Sequence, residues 1–299
     1  MKRMDSLWLS LVGLSLFCTD SLAKGPKNWS VNLDTGGYYD SNVGKAKRLR
    51  DTVEDEVAYI NADWQYTWQP SAGTLLSWRL LGEAERFDTL ETLNNQSYGT
   101  AIAFSWQNSF GFLAPFYRAS LSAKRLESDS PGRSSDIVEF QAFATKRLTT
   151  DMTGRLGYQY DSVRAEHEVF DNDQHRVFAN LDYIWSQDLV TYFTASYAQG
   201  NIYSVAQGGF CNGLAADDIY PLIKYSEVIW RDKSFNQHFC GDWFAYRLEA
   251  DTQTYALGFN YALSHQYSLD VSATYIDSQV SDNVDYQREL IRAGILVRF

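Results

Sequence analysis

Twelve stretches of this chain alternate apolar and polar side chains with a period of two, and the last runs to Phe299. In "LIRAGILVRF", Ile291, Ala293, Ile295, Val297 and Phe299 share one face, and Leu290, Arg292, Gly294, Leu296 and Arg298 share the other. Period two is the signature of a strand whose two faces meet different surroundings. The earlier segments are Trp29–Tyr39, Val57–Trp68, Thr74–Phe87, Ser97–Gln107, Phe112–Arg125, Ile137–Leu148, Thr153–Arg164, His175–Trp185, Leu189–Tyr203, Phe244–Leu263 and Gln266–Gln279, with Val284–Phe299 the twelfth.

Their connections alternate in length. Tight turns such as Gln69–Gly73, Thr149–Met152 and Ser264-His265 alternate with longer polar loops such as Asp40–Glu56, Leu126–Asp136 and the large Ser204–Trp243. An even number of strands with short turns at one end and long loops at the other implies an all-β fold. It is a transmembrane antiparallel up-and-down β-barrel of 12 strands, 14 being the alternative count. The segments are long enough for the roughly 9–11 residues that a tilted membrane strand needs. Inside a bilayer every backbone donor needs a protein partner, so such a sheet must close on itself. A soluble sandwich also alternates, but it would have to bury the outward row of every strand against a second sheet.

Composition agrees. Mean hydropathy is only -0.35, yet the chain holds 20 Tyr, 17 Phe and 9 Trp. Strands with one greasy and one polar face give that combination. Trp68, Trp106 and Trp185 sit where strands meet tight turns, at the level of Trp29, Tyr267 and Phe299, as an interfacial aromatic girdle would. The net charge of -11 argues against nucleic acid as a partner.

The N-terminus carries Lys2 and Arg3, an apolar run Ser6–Phe17, and Ser21-Leu22-Ala23. This is the layout of a secretory signal peptide over residues 1–23, leaving 24–299 as the outer-membrane barrel. The bulky Phe17 argues against lipid attachment at Cys18. The expected location is a Gram-negative outer membrane, with both termini periplasmic. Cys211 and Cys240 then remain as an even pair in an exported chain, which predicts a disulfide stapling the large loop.

Strand parity points Asp63, Glu83, Glu139, Asp161, Asp182 and Asp270 inward, together with Arg79, Arg118, Lys124, Arg147, Arg155, Arg176 and Arg292. Twelve strands close at a backbone radius of about 12 Å and leave a bore of roughly 10–12 Å. Opposite charges in that bore either solvate the interior by pairing or form a constriction for small polar solutes. No cofactor or metal is implied. The loop "EHEVFDNDQH", residues 166–175, matches no metal-ligand spacing and reads as a solvated acidic loop. No nucleophile stands near a base in the pattern. The expected function is therefore non-enzymatic: a narrow channel, or a translocation accessory for an exported product. The rivals are a surface-binding barrel with a plugged lumen, whose loop 204–243 engages a partner, and an outer-membrane lipid-modifying enzyme. Expected partners are outer-membrane lipid, the barrel-insertion machinery and a small polar solute.

"GGYYDSNVGKA" after the leader and "YIDSQVSDNVDYQRELIRAGILVRF" at the end resemble the barrel region of surface lipoprotein assembly modifier proteins and related porin-like barrels. The resemblance implies a barrel that helps deliver lipoproteins to the cell surface. The helical-repeat domain that precedes the barrel in those modifiers has no counterpart here. The row Ile291, Ala293, Ile295, Val297 and Phe299 also resembles the C-terminal signal that insertion machinery reads. Deleting Phe299 is therefore expected to lower the amount of barrel in isolated outer membranes, and normal levels of the truncated chain would count against this.

Overall fold

The computed structural model describes residues 28–299 apart from 110, 217, 218, 225, 227 and 281–283, so the expected leader lies outside the described residues. The strands are β1 (Trp29–Asp40), β2 (Asp55–Trp68), β3 (Thr74–Phe87), β4 (Asn95–Gln107), β5 (Phe116–Ser128), β6 (Ser135–Arg147), β7 (Met152–Ala165), β8 (Asn172–Ile184), β9 (Leu189–Gly209), β10 (Ile229–Arg231), β11 (Asp242–Ala262), β12 (Tyr267–Val280) and β13 (Val284–Arg298). Two short helices, α1 (Tyr220–Ile223) and α2 (Lys233–His238), lie between β9 and β11.

All the long strands pair antiparallel with their sequence neighbours. β9 pairs with β11, and β13 returns to β1, so the 12 long strands form a closed barrel. β10 stands outside this wall, paired along the far end of β11 from Ile229↔Tyr246 to Arg231↔Phe244. The closing seam runs from Asn32↔Arg298 to Asp40↔Leu290. Beyond the ladder, the Phe299 amide donates to the Val31 carbonyl at 2.9 Å, and the Val31 amide donates back to Phe299 at 3.3 Å. Inside the seam, Gly36 and Gly294 make room for one large side chain. A Cβ on Gly294 would lie 2.0 Å from the Tyr59 hydroxyl, and one on Gly36 2.9 Å from it.

The outward row meets lipid as the alternation requires. Trp68, Trp185 and Phe299 are 57%, 64% and 54% exposed at the short-turn end. Val297 is the exception at 9%, covered beside its cross-strand partners Leu33 and Tyr267.

The strand boundaries differ from expectation in two ways. β5 begins at Phe116 and not Phe112, because Pro115 lacks the amide that a ladder needs. Phe112 and Leu113 remain exposed in the turn. At the long-loop end the strands run further, and β9 and β11 continue as a two-stranded ribbon, so the large loop shrinks to Phe210–Gly241. The cause is visible in burial. Ile202 and Ala206 are buried on one face of the ribbon, Val205 and Ala245 on the other. With both faces covered, the apolar–polar contrast that marks a strand disappears.

Candidate functional site

The lumen takes its character from β4. From Ser97 to Ser105 its inward positions carry only small groups, among them Ser97, Ala101, Ala103 and Ser105, all buried. Lys124 of β5 can therefore reach across β4 to Glu83 of β3, at 3.1 and 3.2 Å, while Ser97 donates to the same carboxylate at 2.9 Å. Arg79 meets Asp63 at 3.1 Å between β3 and β2. At the seam Arg292 is ion-paired with Asp34. Its Nε donates to the Tyr59 hydroxyl at 2.9 Å, its guanidinium lies 4.5 Å over that ring, and the hydroxyl donates to Asp34 at 3.0 Å. These pairs are half-buried, so each contributes little to stability. Their effect is to make the bore polar without filling it.

A cavity of about 700 Å³ remains, running from the β11–β12 turn at Ser264, His265 and Gln266 to Glu83, Lys124 and Glu139. Of the residues expected inside, Asp63, Arg79, Glu83, Lys124 and Glu139 line it. Others are not brought into pairs. Arg118 reaches only the Ser77 hydroxyl, at 3.5 Å. Arg155 donates to Thr145 at 3.2 Å and lies 4.7 Å over the Phe143 ring. Asp161 accepts from Gln159 at 2.9 and 3.0 Å. Asp182 sits on β8 near the short-turn end. Arg147, at the rim, lies over Phe112 at 5.1 Å.

The opposite end of the barrel is covered. Gly200, with φ +151°, marks the last β8–β9 pair, Gln174↔Gly200. A Cβ there would lie 2.0 Å from the Asp173 carbonyl, so only glycine fits this departure of β9 from the wall. Beyond it, the freed edge of β9 takes a new partner: the Val205 amide donates to the Gly44 carbonyl of the β1–β2 loop at 2.8 Å. One apolar cluster then unites Val43 of that loop, Leu90 and Leu93 of the β3–β4 loop, Val169 and Phe170 of the β7–β8 loop, and Val205, Phe235, Trp243 and Ala245. The β1–β2 and β7–β8 loops stand on opposite sides of a twelve-strand barrel, so side chains from both can share a cluster only by spanning the mouth. The result is a roof, with Phe235 of α2 fully buried at its centre.

Polar contacts fix the roof. Asp232 accepts from the Ser234 and Phe235 amides at 3.0 and 3.2 Å, capping α2, and also binds Arg133 of the β5–β6 loop at 2.6 Å. Ser130 and Ser234 hydroxyls are hydrogen-bonded at 2.5 Å. Cys211 and Cys240 are disulfide-bonded, with Cα atoms 5.2 Å apart, across the base of the loop. Of the stretch 166–175, residues 172–175 belong to β8 and the loop 166–171 belongs to the roof, a correction to the solvated loop expected from its letters. Val169 and Phe170 are buried, and the His167 ring stacks on Trp230 at 4.5 Å. Among the described residues no three His, Cys, Asp or Glu side chains converge on a metal position. Parity arguments miss the roof because loops have no parity. The one local signal was Asp232 before "KSF", an N-cap in front of a short helix.

No family model matches the chain, and no curated protein matches it in sequence. Its barrel is similar to the crystal structure of an outer-membrane channel from Pseudomonas putida F1, at 10% identity and TM-score 0.54, over 92% of this chain and 97% of that one. It is less similar to the KdgM porin solved with disordered oligogalacturonate, at 11% identity and TM-score 0.44, over 90% and 99% of the two chains. The NanC porin stands at 12% identity and TM-score 0.44, over 89% and 98%. At such identities the likeness speaks for the fold alone, a closed twelve-strand β-barrel of the outer-membrane kind.

Proposed function

We propose that this barrel is a narrow, gated, non-enzymatic channel for small polar solutes, held closed by its roof, with both termini periplasmic and the roof facing outward. The observation that carries this reading is the cavity itself. The pairs Arg79–Asp63 and Lys124–Glu83 lie along the wall beside a space of about 700 Å³ that runs from the turn end up to Glu83, Lys124 and Glu139, and the roof spans the opposite mouth. A barrel built solely as a scaffold has no need of a charge-lined cavity in its bore and a stapled roof over its mouth. Delivery of an exported product, which the resemblance to lipoprotein assembly modifiers implies, would need the same roof to open wider.

Planar-bilayer recording tests the channel. Wild-type protein should show rare openings, and protein lacking residues 212–239, with β9 and β11 rejoined by a short turn, should conduct steadily. If neither form conducts at any voltage, the reading fails. The surface-binding alternative draws support from Leu49, Leu214 and Tyr220, which are 94%, 63% and 68% exposed on the roof. That reading predicts a silent barrel in both recordings.

A further inference from the structure

Two cations of the roof, Lys45 and Arg133, face the same aromatic ring. Lys45 of the β1–β2 loop has a positive φ of 51°, and its carbonyl accepts from Ser204 Oγ at 2.8 Å. The backbone is thereby fixed so that Nζ stands 4.0 Å over the Tyr203 ring. Among the described residues no carboxylate is in ion-pair contact with Lys45. Arg133 lies 5.0 Å from the same ring and 4.1 Å from Phe170. It gives Nη2 to Asp232, while its Nε is buried without a partner. Arg288 holds Asp40 through Nε, at 2.9 and 3.0 Å, and through Nη2. All three cations act on the Tyr203 phenol, and among the described residues the carboxylates paired with them are Asp40 and Asp232.

Tyr203 lies in the ribbon beyond the wall. Burial pushes its phenol up, and Lys45, Arg133 and Arg288 pull it lower, to about 8. Burial also holds the Lys45 ammonium below its ordinary range. An unmatched charge out of bulk water is unfavourable unless a counter-charge joins it. Lys45 and Tyr203 are only partly buried.

We propose that Lys45, Arg133 and Tyr203 form a binding site for one anionic group, a carboxylate or a phosphate, of the solute that the lumen carries. That the ligand is the carried solute rests on the channel reading, whereas the site itself does not. The aromatic rings and the cap on α2 hold the two cations apart, and the anion supplies the missing charge between loops that meet across the mouth. Occupancy of the site therefore draws the β1–β2 and β5–β6 loops together.

Calorimetry on the full chain in detergent micelles, with inorganic phosphate in one arm and acetate in the other, tests the site. At least one anion should bind saturably. Lys45→Met, which keeps the stem of the side chain, should weaken binding about tenfold or more, the loss of a single charge-assisted contact. Lys45→Arg should retain it, as should Arg118→Gln lower in the lumen. Binding of phosphate alone, acetate alone or both identifies the chemistry read by the site. Absence of binding in both arms overturns the proposal. So does equal binding by a Lys45→Met barrel that keeps its heat-modifiable mobility. A barrel that binds the anion but never conducts would sink the channel reading and leave the site standing. A conducting barrel without binding would do the reverse.

Discussion

Replacing Asp232 by Asn is expected to raise the open fraction of single channels by about a hundred- to a thousandfold. The Asp232 carboxylate is fully buried, 2.6 Å from Arg133, which is itself only 11% exposed. Removing one member of a buried ion pair costs about 3–5 kcal/mol, because the other charge stays out of water. Opening the roof lets Arg133 reach solvent, so that cost falls on the closed state alone. Every 1.4 kcal/mol is about tenfold in an equilibrium, and the faces of Phe170 and Tyr203 beside Arg133 soften the loss toward the lower end. Asparagine has nearly the same volume and still offers an oxygen to the Ser234 and Phe235 amides, so the α2 cap survives. Asp232→Ala removes the cap as well and should open the roof by a further ~1 kcal/mol. Planar-bilayer recordings of the fully assembled variants read this directly. A barrel with Asn at 232 that stays as closed as wild type would show that the pair does not hold the roof.

Cutting the staple should act on the same equilibrium from the open side. With Cys211 and Cys240 joined, a detached loop keeps its ends together, which limits the entropy it gains on release. For 29 positions of chain the constraint is worth about 3–4 kcal/mol. The double variant Cys211→Ser/Cys240→Ser is therefore expected to lose the loop 212–239 to protease on the order of a hundred times faster in intact outer-membrane vesicles, since local opening governs cleavage. The wall should be unaffected and should keep its heat-modifiable mobility. Reductant applied to wild-type vesicles should reproduce the effect. If cleavage is unchanged in both, the apolar cluster around Phe235 holds the roof without help from the disulfide.

The wall was legible in the letters because lipid and lumen impose opposite demands on successive side chains. Ile291, Ile295 and Phe299 could be placed outward, and Asp63, Arg79, Glu83 and Arg292 on the other parity, from alternation alone. Parity gives a face but not a height. That is why the Glu83–Lys124 contact across β4 was not foreseen, nor that Arg118 would find only Ser77. Contacts of that kind depend on the register of three strands and on the small groups between them. The roof was invisible for a different reason. Val43, Leu90, Val169 and Phe235 come from four loops whose apolar residues follow no period. Only the topology, which brings the loops to one rim, makes them a cluster. Lys45 and Arg133 read in sequence as ordinary solvated loop charges and become significant only beside Tyr203.

The bonds between Phe299 and Val31 bear on how the chain travels before it is a barrel. A wall whose first strand is matched by its last cannot be sealed in part. Until those two ends meet, the sheet presents two long rows of unsatisfied amides and carbonyls, each a template for another copy of the same chain. The molecule in transit is thus at its most adhesive, and its tyrosine- and tryptophan-rich rows are exposed to water at the same time. The net charge of -11 then acts as a safeguard along the route, since chains of like sign repel before their edges can join. Acidity that looks incidental in the finished barrel is, for the unfinished one, a means of arriving singly.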